Sequence, residues 1–250
     1  MPTQRDKTSN KPRPGSPAWW AAEPVRADEK RRGRPPRPFD EIVTAALELV
    51  ERVGVDAFTM RALAEQLDTS TATLYRHVDG KDDLMVHVVD KVLGVIASTA
   101  QKDDSASWQQ ATRARLLRLH DALSSRPKLL PLLADEVPIG PNGLAAREAA
   151  IAELVAYGFE IGLAARVYTT LAHYTVGFAV QQHAPGAPTP GEAAALRRYY
   201  RTLDPDRFPS TRAAAQALTG VSARDEFLEG LQFILDGIEP QLTPSGTTAD

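Results

Sequence analysis

Residues 58–84 read FTMRALAEQLDTSTATLYRHVDGKDDL. Thr59 stands where an N-cap belongs, and Met60, Leu63, Ala64 and Leu67 follow at helical spacing, so a short helix is expected to end near Asp68. Only Asp68, Thr69 and Ser70 separate it from a second short segment, Thr71 to His77. Gly80 then breaks the chain, and Lys81 to about Ser98 reads as a longer helix with Leu84, Val88, Val92, Leu93 and Ile96 inward. Upstream, Asp40 is the expected cap of a helix over 40–53, with Gly54 as its C′ residue. Two short helices joined by a three-residue turn, after a packing helix, make a helix-turn-helix.

The second short segment suits a reading role. The major groove of B-DNA admits one helix, whose N-terminal side chains reach base edges. Thr71, Thr73, Tyr75, Arg76 and His77 are polar or aromatic, and Leu74 alone is committed to the core. Spacing alone also fits a helical hairpin with no ligand. Within a DNA-reading segment, Tyr75 packing its ring on the sugar-phosphate backbone and His77 acting as a helix C-cap are the alternatives to base contact.

Charge is distributed unevenly along the 250 residues, whose net charge is −3. Residues 1–38 hold ten Lys and Arg against four Asp and Glu, a net of +6. Residues 39–98 hold five against eleven, a net of −6, and residues 99–250 supply the remaining −3. A basic tail on an acidic body is the pattern of a nucleic-acid or membrane-surface arm. Eight prolines and few aliphatic residues in 1–38 leave little with which to bury a core, so the segment is expected to stay disordered until bound. No place is assigned to its Trp19 and Trp20. Within it, Arg31, Arg32 and Arg34 belong to an RRGRPPR stretch that resembles an AT-hook, whose arginines lie in the narrow minor groove. A flexible tail with only nonspecific attraction is the alternative.

The remainder is helical in pattern. Amphipathic stretches cover 108–123, 144–157, 160–183 and 225–238, with a short apolar piece at 129–133. Residues 184–222 read as an irregular excursion with one helix at 192–202. The expected fold is all-α with about nine or ten helices, in four parts: an arm (1–38), a helix-turn-helix domain (39–98), an effector and dimerisation domain (99–240) and a tail (241–250). No run reaches the roughly 18 apolar residues that cross a bilayer. The opening MPTQRDKTSNKPRPGSP has no apolar core, so no secretory signal and a cytoplasmic, nucleoid-associated location are expected. Absence of cysteine removes disulfides, thiolate metal sites and cysteine nucleophiles. The five histidines are scattered, with no HExxH or paired-carboxylate motif, and no enzyme is expected.

Phe58-Thr59-Met60-Arg61-Ala62-Leu63-Ala64, Thr73-Leu74-Tyr75-Arg76-His77-Val78 and Gly80-Lys81-Asp82-Asp83-Leu84 resemble the DNA-binding domain of the TetR family of repressors. His173-Tyr174-Thr175-Val176-Gly177, Gln181-Gln182-His183 and Phe227-Leu228-Glu229-Gly230-Leu231 are similar to the C-terminal domain of the tetracycline repressors. The resemblance implies an Ω-shaped, antiparallel-bundle homodimer on a palindromic DNA operator, with a small-molecule effector in the C-terminal domain. It implies DNA contacts from Arg61 and the 71–77 segment, and phosphate contacts from Thr59 and Lys81. It places effector contacts at Arg115, Leu119, Leu133, Arg147, Ile151, Tyr168 and Gln181. The dimer is expected through helices 160–183 and 225–238, with Ala172, Val176, Ala179, Phe227, Leu231 and Ile234 at the contact.

The sequence departs from the family in three places. The turn carries Asp68-Thr69-Ser70 where glycine and a small aliphatic residue are usual; Asp tolerates the left-handed conformation. The −6 body supplies few cations to DNA, so the arm is expected to compensate. The imidazole and the acidic residue with which tetracycline repressors hold a magnesium chelate are replaced by Leu129-Leu130-Pro131-Leu132-Leu133 and by Gln181. Magnesium wants oxygen ligands, usually a carboxylate among them. A metal-free, mostly apolar effector and no cofactor are expected. Two other readings stay open: an architectural minor-groove protein, and a regulator whose C-terminal domain binds a protein partner.

Overall fold

A computed structural model describes residues 11–22, 39–98, 107–135, 137–184, 186–187 and 189–238. The chain divides into two compact units, one of Met1–Gln101 with Lys128–Ala150 and one of Lys102–Pro127 with Ile151–Asp250. Among the described residues all regular structure is helical.

The first unit carries α1 (Pro17–Ala22), α2 (Phe39–Val53), α3 (Met60–Gln66), α4 (Thr71–Leu74), α5 (Lys81–Ser98), a 3₁₀ turn (Pro127–Leu129), α7 (Leu130–Asp135) and the start of α8 (Pro141–Ala156). Ile42, Ala46, Leu49 and Val50 of α2 share one buried core with Phe58, Leu63, Leu74, Leu84 and Val88. Leu63, Leu74 and Leu84 are completely buried, which fixes α3 and α4 on a common base. Asp40 lies within the first turn of α2, favouring the helix dipole from inside instead of capping it. Gly54 takes a φ of +87° at the C′ position. Regular helix in the reading segment is confined to Thr71–Leu74; Tyr75, Arg76 and His77 continue it as a turn.

The first unit departs from the sequence expectations in two ways. The arm was expected to lack any core, yet residues 17–22 form α1 and Trp19 is buried. Two indoles supply the apolar surface that the aliphatic count missed. Lys128–Ala150 was expected in the effector domain but clusters with the first unit. Leu129 and Leu132 join its core, Lys128 donates from Nζ to the Arg52 carbonyl, and Asp90 binds the start of α8.

The second unit holds α6 (Trp108–Ser124), the end of α8, α9 (Ile161–Gln182), α10 (Pro190–Thr202), α11 (Pro209–Ala213), α12 (Ala217–Gly220) and α13 (Ala223–Ile238). α6 packs on α9, and α13 on both. Their core joins Trp108, Leu116, Leu154, Phe159, Val167, Leu171, Phe227, Leu231 and Leu235. Among the described residues there are thirteen α-helices, where about nine or ten were expected. The 184–222 excursion holds three of them, opened by a Thr189–Glu192 capping box with Pro190 at the start of α10.

Candidate nucleic-acid interface and effector core

The reading head is built by caps. Thr59 Oγ1 accepts the Ala62 N–H at 3.1 Å and starts α3. Asp68 adopts a φ of +48°, the left-handed turn that the sequence called for. Ser70 then caps α4, its Oγ accepting the Thr73 N–H at 3.2 Å. These three residues orient the segment while Leu74 and Val78 anchor it beneath.

Above that anchor, Tyr75 and Arg76 are exposed and Thr71, Thr73 and His77 half-buried. Arg76 Nη2 donates to Thr73 Oγ1 at 3.3 Å, a weak contact that leaves most of the guanidinium fork directed outward. The His77 ring stacks beside Phe39, centroids 6.5 Å apart. Arg61 is exposed on α3 and bonds Glu65 one turn on, Nε to Oε1 at 2.9 Å. Lys81 is more constrained: its Nζ donates to the Val55 carbonyl at 2.7 Å and sits 5.8 Å from the Phe58 ring centre. The ammonium keeps two further protons for an anion. Arg31, Arg32 and Arg34 lie outside the described residues.

The seven effector residues fall in different places. Arg115, Leu119 and Ile151 meet in the second unit, where Leu119 and Ile151 pack on its core. Arg115 forms an ion pair with Glu153, and burial, with Arg118 nearby, lowers the guanidinium pKa from its ordinary value. Tyr168 is half-buried on α9. Leu133 and Arg147 belong to the first unit, Arg147 donating to the Pro138 carbonyl at 3.3 Å. Gln181 is exposed. Its neighbour Gln182 takes the inward place, 3.1 Å from Nε2 of the buried His120, whose ring stacks on Phe227 at 4.2 Å. Sequence reasoning missed Gln182 because the helical phase of α9 cannot be set to one residue from its apolar pattern, which runs almost all round.

The dimer residues need a correction. Ala179, Phe227 and Leu231 have no exposed surface, being spent in the protomer's own core. Ala172, Val176 and Ile234 are half-buried. The apolar side chains that α9 and α13 leave exposed are Ile161 and Phe233, at 61% and 68% of their surface. Asp90 was also missed. It is 92% buried on α5, and only the fold brings it to α8.

Among the described residues, no helix is long and apolar enough to cross a membrane, and no group of three or more His, Asp or Glu is placed to hold a metal.

A capped two-helix reading head packed with α2 and α5, in a chain with a second helical unit, defines a helix-turn-helix transcriptional regulator. The profile of bacterial regulatory proteins of the tetR family matches residues 42–88, and that of the tetracyclin repressor-like C-terminal domain matches residues 101–242. The chain belongs to the TetR family. An HTH-type transcriptional regulator of Saccharopolyspora erythraea is 28% identical over 240 residues, covering 94% of this chain and 97% of that one. The HTH-type transcriptional repressor DrrR1 of Streptomyces coeruleorubidus is 29% identical over 231 residues, covering 84% and 81%. The crystal structure of the Streptomyces coelicolor TetR family protein ActR in complex with actinorhodin superposes with a TM-score of 0.75 at 28% identity, covering 84% of this chain and all of that one. The protein is a DNA-binding transcriptional regulator. Its family comprises regulators that bind operators and dimerise, rather than enzymes.

Proposed function

We propose that this regulator is a repressor, working in the bacterial cytoplasm on the chromosome, that a small molecule releases from a palindromic operator. The observation that supports it best is the exposed Thr71–His77 segment on its buried Leu74 anchor, offering Tyr75 and Arg76 to a groove. Arg76 is the guanine reader, by bidentate bonding to O6 and N7. Thr71, Thr73, Tyr75 and His77 complete the groove contact, Thr59, Arg61 and Lys81 hold phosphate, and Arg31, Arg32 and Arg34 supply the arm. One short segment reads too few bases alone, so two-fold pairing through α9 and α13 supplies a second half-site.

The effector is mostly apolar and binds without metal, against Leu119, Ile151 and Tyr168 with Arg115 as polar handle. The Arg115–Glu153 pair supports this, because a half-buried ion pair beside apolar core can be reopened by an anionic or aromatic ligand. Binding shifts the population towards a form whose reading heads no longer match the half-sites.

The test is to enrich duplexes from a random pool with the purified protein, then screen for compounds that release the best one. A palindromic winner is expected, with the releasing compound binding equally in magnesium and in chelator. An asymmetric single site, or metal-dependent release, would refute the corresponding half of the proposal.

A further inference from the structure

The described part of the arm is docked along α5. A turn places the Arg13 carbonyl on the Ser16 N–H at 3.1 Å, with Gly15 buried at a φ of +80°, a conformation that favours glycine. Ser16 Oγ then accepts the Trp19 N–H at 3.2 Å and starts α1. Trp19 and Trp20 close on His87, with ring centres at 5.2 Å and 5.4 Å, and Phe39 closes on the same ring at 4.8 Å. Trp20 also lines a small cavity with Val86, Val89 and Gly140. At the other end of the segment, Lys11 Nζ reaches both carboxylate oxygens of Asp79, at 3.0 Å and 2.9 Å. His87 lies eight residues beyond Asp79, between one and two turns into α5. The segment therefore runs beside α5 with its basic end at the reading head.

We propose that the Trp19–Trp20 helix is an anchor that delivers Lys11 and Arg13 to the DNA backbone, as phosphate contacts additional to those of the helix-turn-helix; this rests on the DNA-binding reading above. Asp79 sits between His77 and Lys81, both assigned to DNA, where a carboxylate repels phosphate. Lys11 cancels that charge, and because the pair is 70% and 67% exposed, its ammonium is free to be shared with a phosphate oxygen. The −6 charge of residues 39–98 makes such help necessary. Holding the segment in place also removes most of the ordering entropy that a loose tail loses on binding.

The experiment measures full-length protein on the enriched duplex across a range of salt. Lys11→Ala with Arg13→Ala removes two phosphate contacts per protomer, so the salt slope of the dimer should flatten by up to about four and affinity should fall more than tenfold at moderate salt. Trp19→Ser with Trp20→Ser removes no charge, yet should flatten the slope by a similar amount while Arg76-dependent sequence preference survives. Combining both pairs should add little. A wild-type slope for the tryptophan variant, or full additivity, would overturn the anchor. If the tryptophan variant melts early, the Lys11 and Arg13 pair decides, and an unchanged slope there overturns the proposal. Failure of wild-type protein to enrich any duplex counts against the DNA-binding reading itself, and the anchor falls with it.

Discussion

The Asp90 carboxylate of α5 caps α8 through Asn142, accepting its backbone N–H at 3.0 Å and its side-chain Nδ2–H at 2.9 Å, while the Gly143 N–H adds a further bond at 3.0 Å. The helix so held carries Arg147, Ile151 and Glu153, and α5 packs on α2 beneath the reading head. Asp90→Ala orphans these buried donors and should lower unfolding free energy by about 2–3 kcal/mol. Asp90→Asn keeps an acceptor and should lose less. Urea melts of both variants check this, and a wild-type midpoint for Asp90→Ala would contradict the cap.

The turn of the reading head rests on Asp68 at a φ of +48°. Asp68→Val should destabilise by about 1–2 kcal/mol, because a β-branched side chain meets the backbone there. Asp68→Gly should be neutral or slightly stabilising. Thermal melts separate the two, and equal behaviour would mean that the turn relaxes.

Arg76→Ala should weaken binding to the enriched duplex by about 1–3 kcal/mol and relax preference at one base pair in each half-site. Binding to random duplex should hardly change. Equal losses on both would make Arg76 a phosphate contact only.

Core and interface on α13 are separable. Leu231 is wholly buried, so Leu231→Arg should cost about 3 kcal/mol or more and unfold the second unit at moderate temperature. Phe233 is 68% exposed, so Phe233→Arg should leave the melt nearly intact yet give single chains by sedimentation equilibrium. A Phe233→Arg dimer would move the interface elsewhere.

Acid should loosen α9 first at its start. The Gly162 and Leu163 backbone N–H groups bond Glu160 and hold its pKa below the ordinary 4.5. A carboxylate depressed in the folded state contributes fully above pH 4.5 and loses that contribution as pH falls through the folded value. Protection of the Leu163 amide, taken relative to its intrinsic exchange rate at each pH, should therefore fall below that range in wild type and be low already at neutral pH in Glu160→Ala. Wild-type protection that does not change with pH would rule this out.

What the amino-acid order determined is local. Thr59, Asp68 and Gly54 announce where helices begin, turn and end because capping and left-handed φ depend on the residue itself and its next few neighbours. The Leu74 anchor and the outward Tyr75–Arg76 pair follow from spacing within one helical turn, so the reading head was legible before any fold was known. What lay beyond was settled by packing. Phe227 and Leu231 look equally fit for a core or for an interface, and only the arrangement of α6, α9 and α13 consigned them to the core and left Phe233 outside. Gln181 and Gln182 differ by 100° of helix, and only a buried His120 selects the second. The arm's tryptophans meet each other but close on His87 of α5, and Asp90 lies 52 residues from Asn142. Contacts of that reach depend on how whole faces meet, and burial, a property of the assembled surface, decided them.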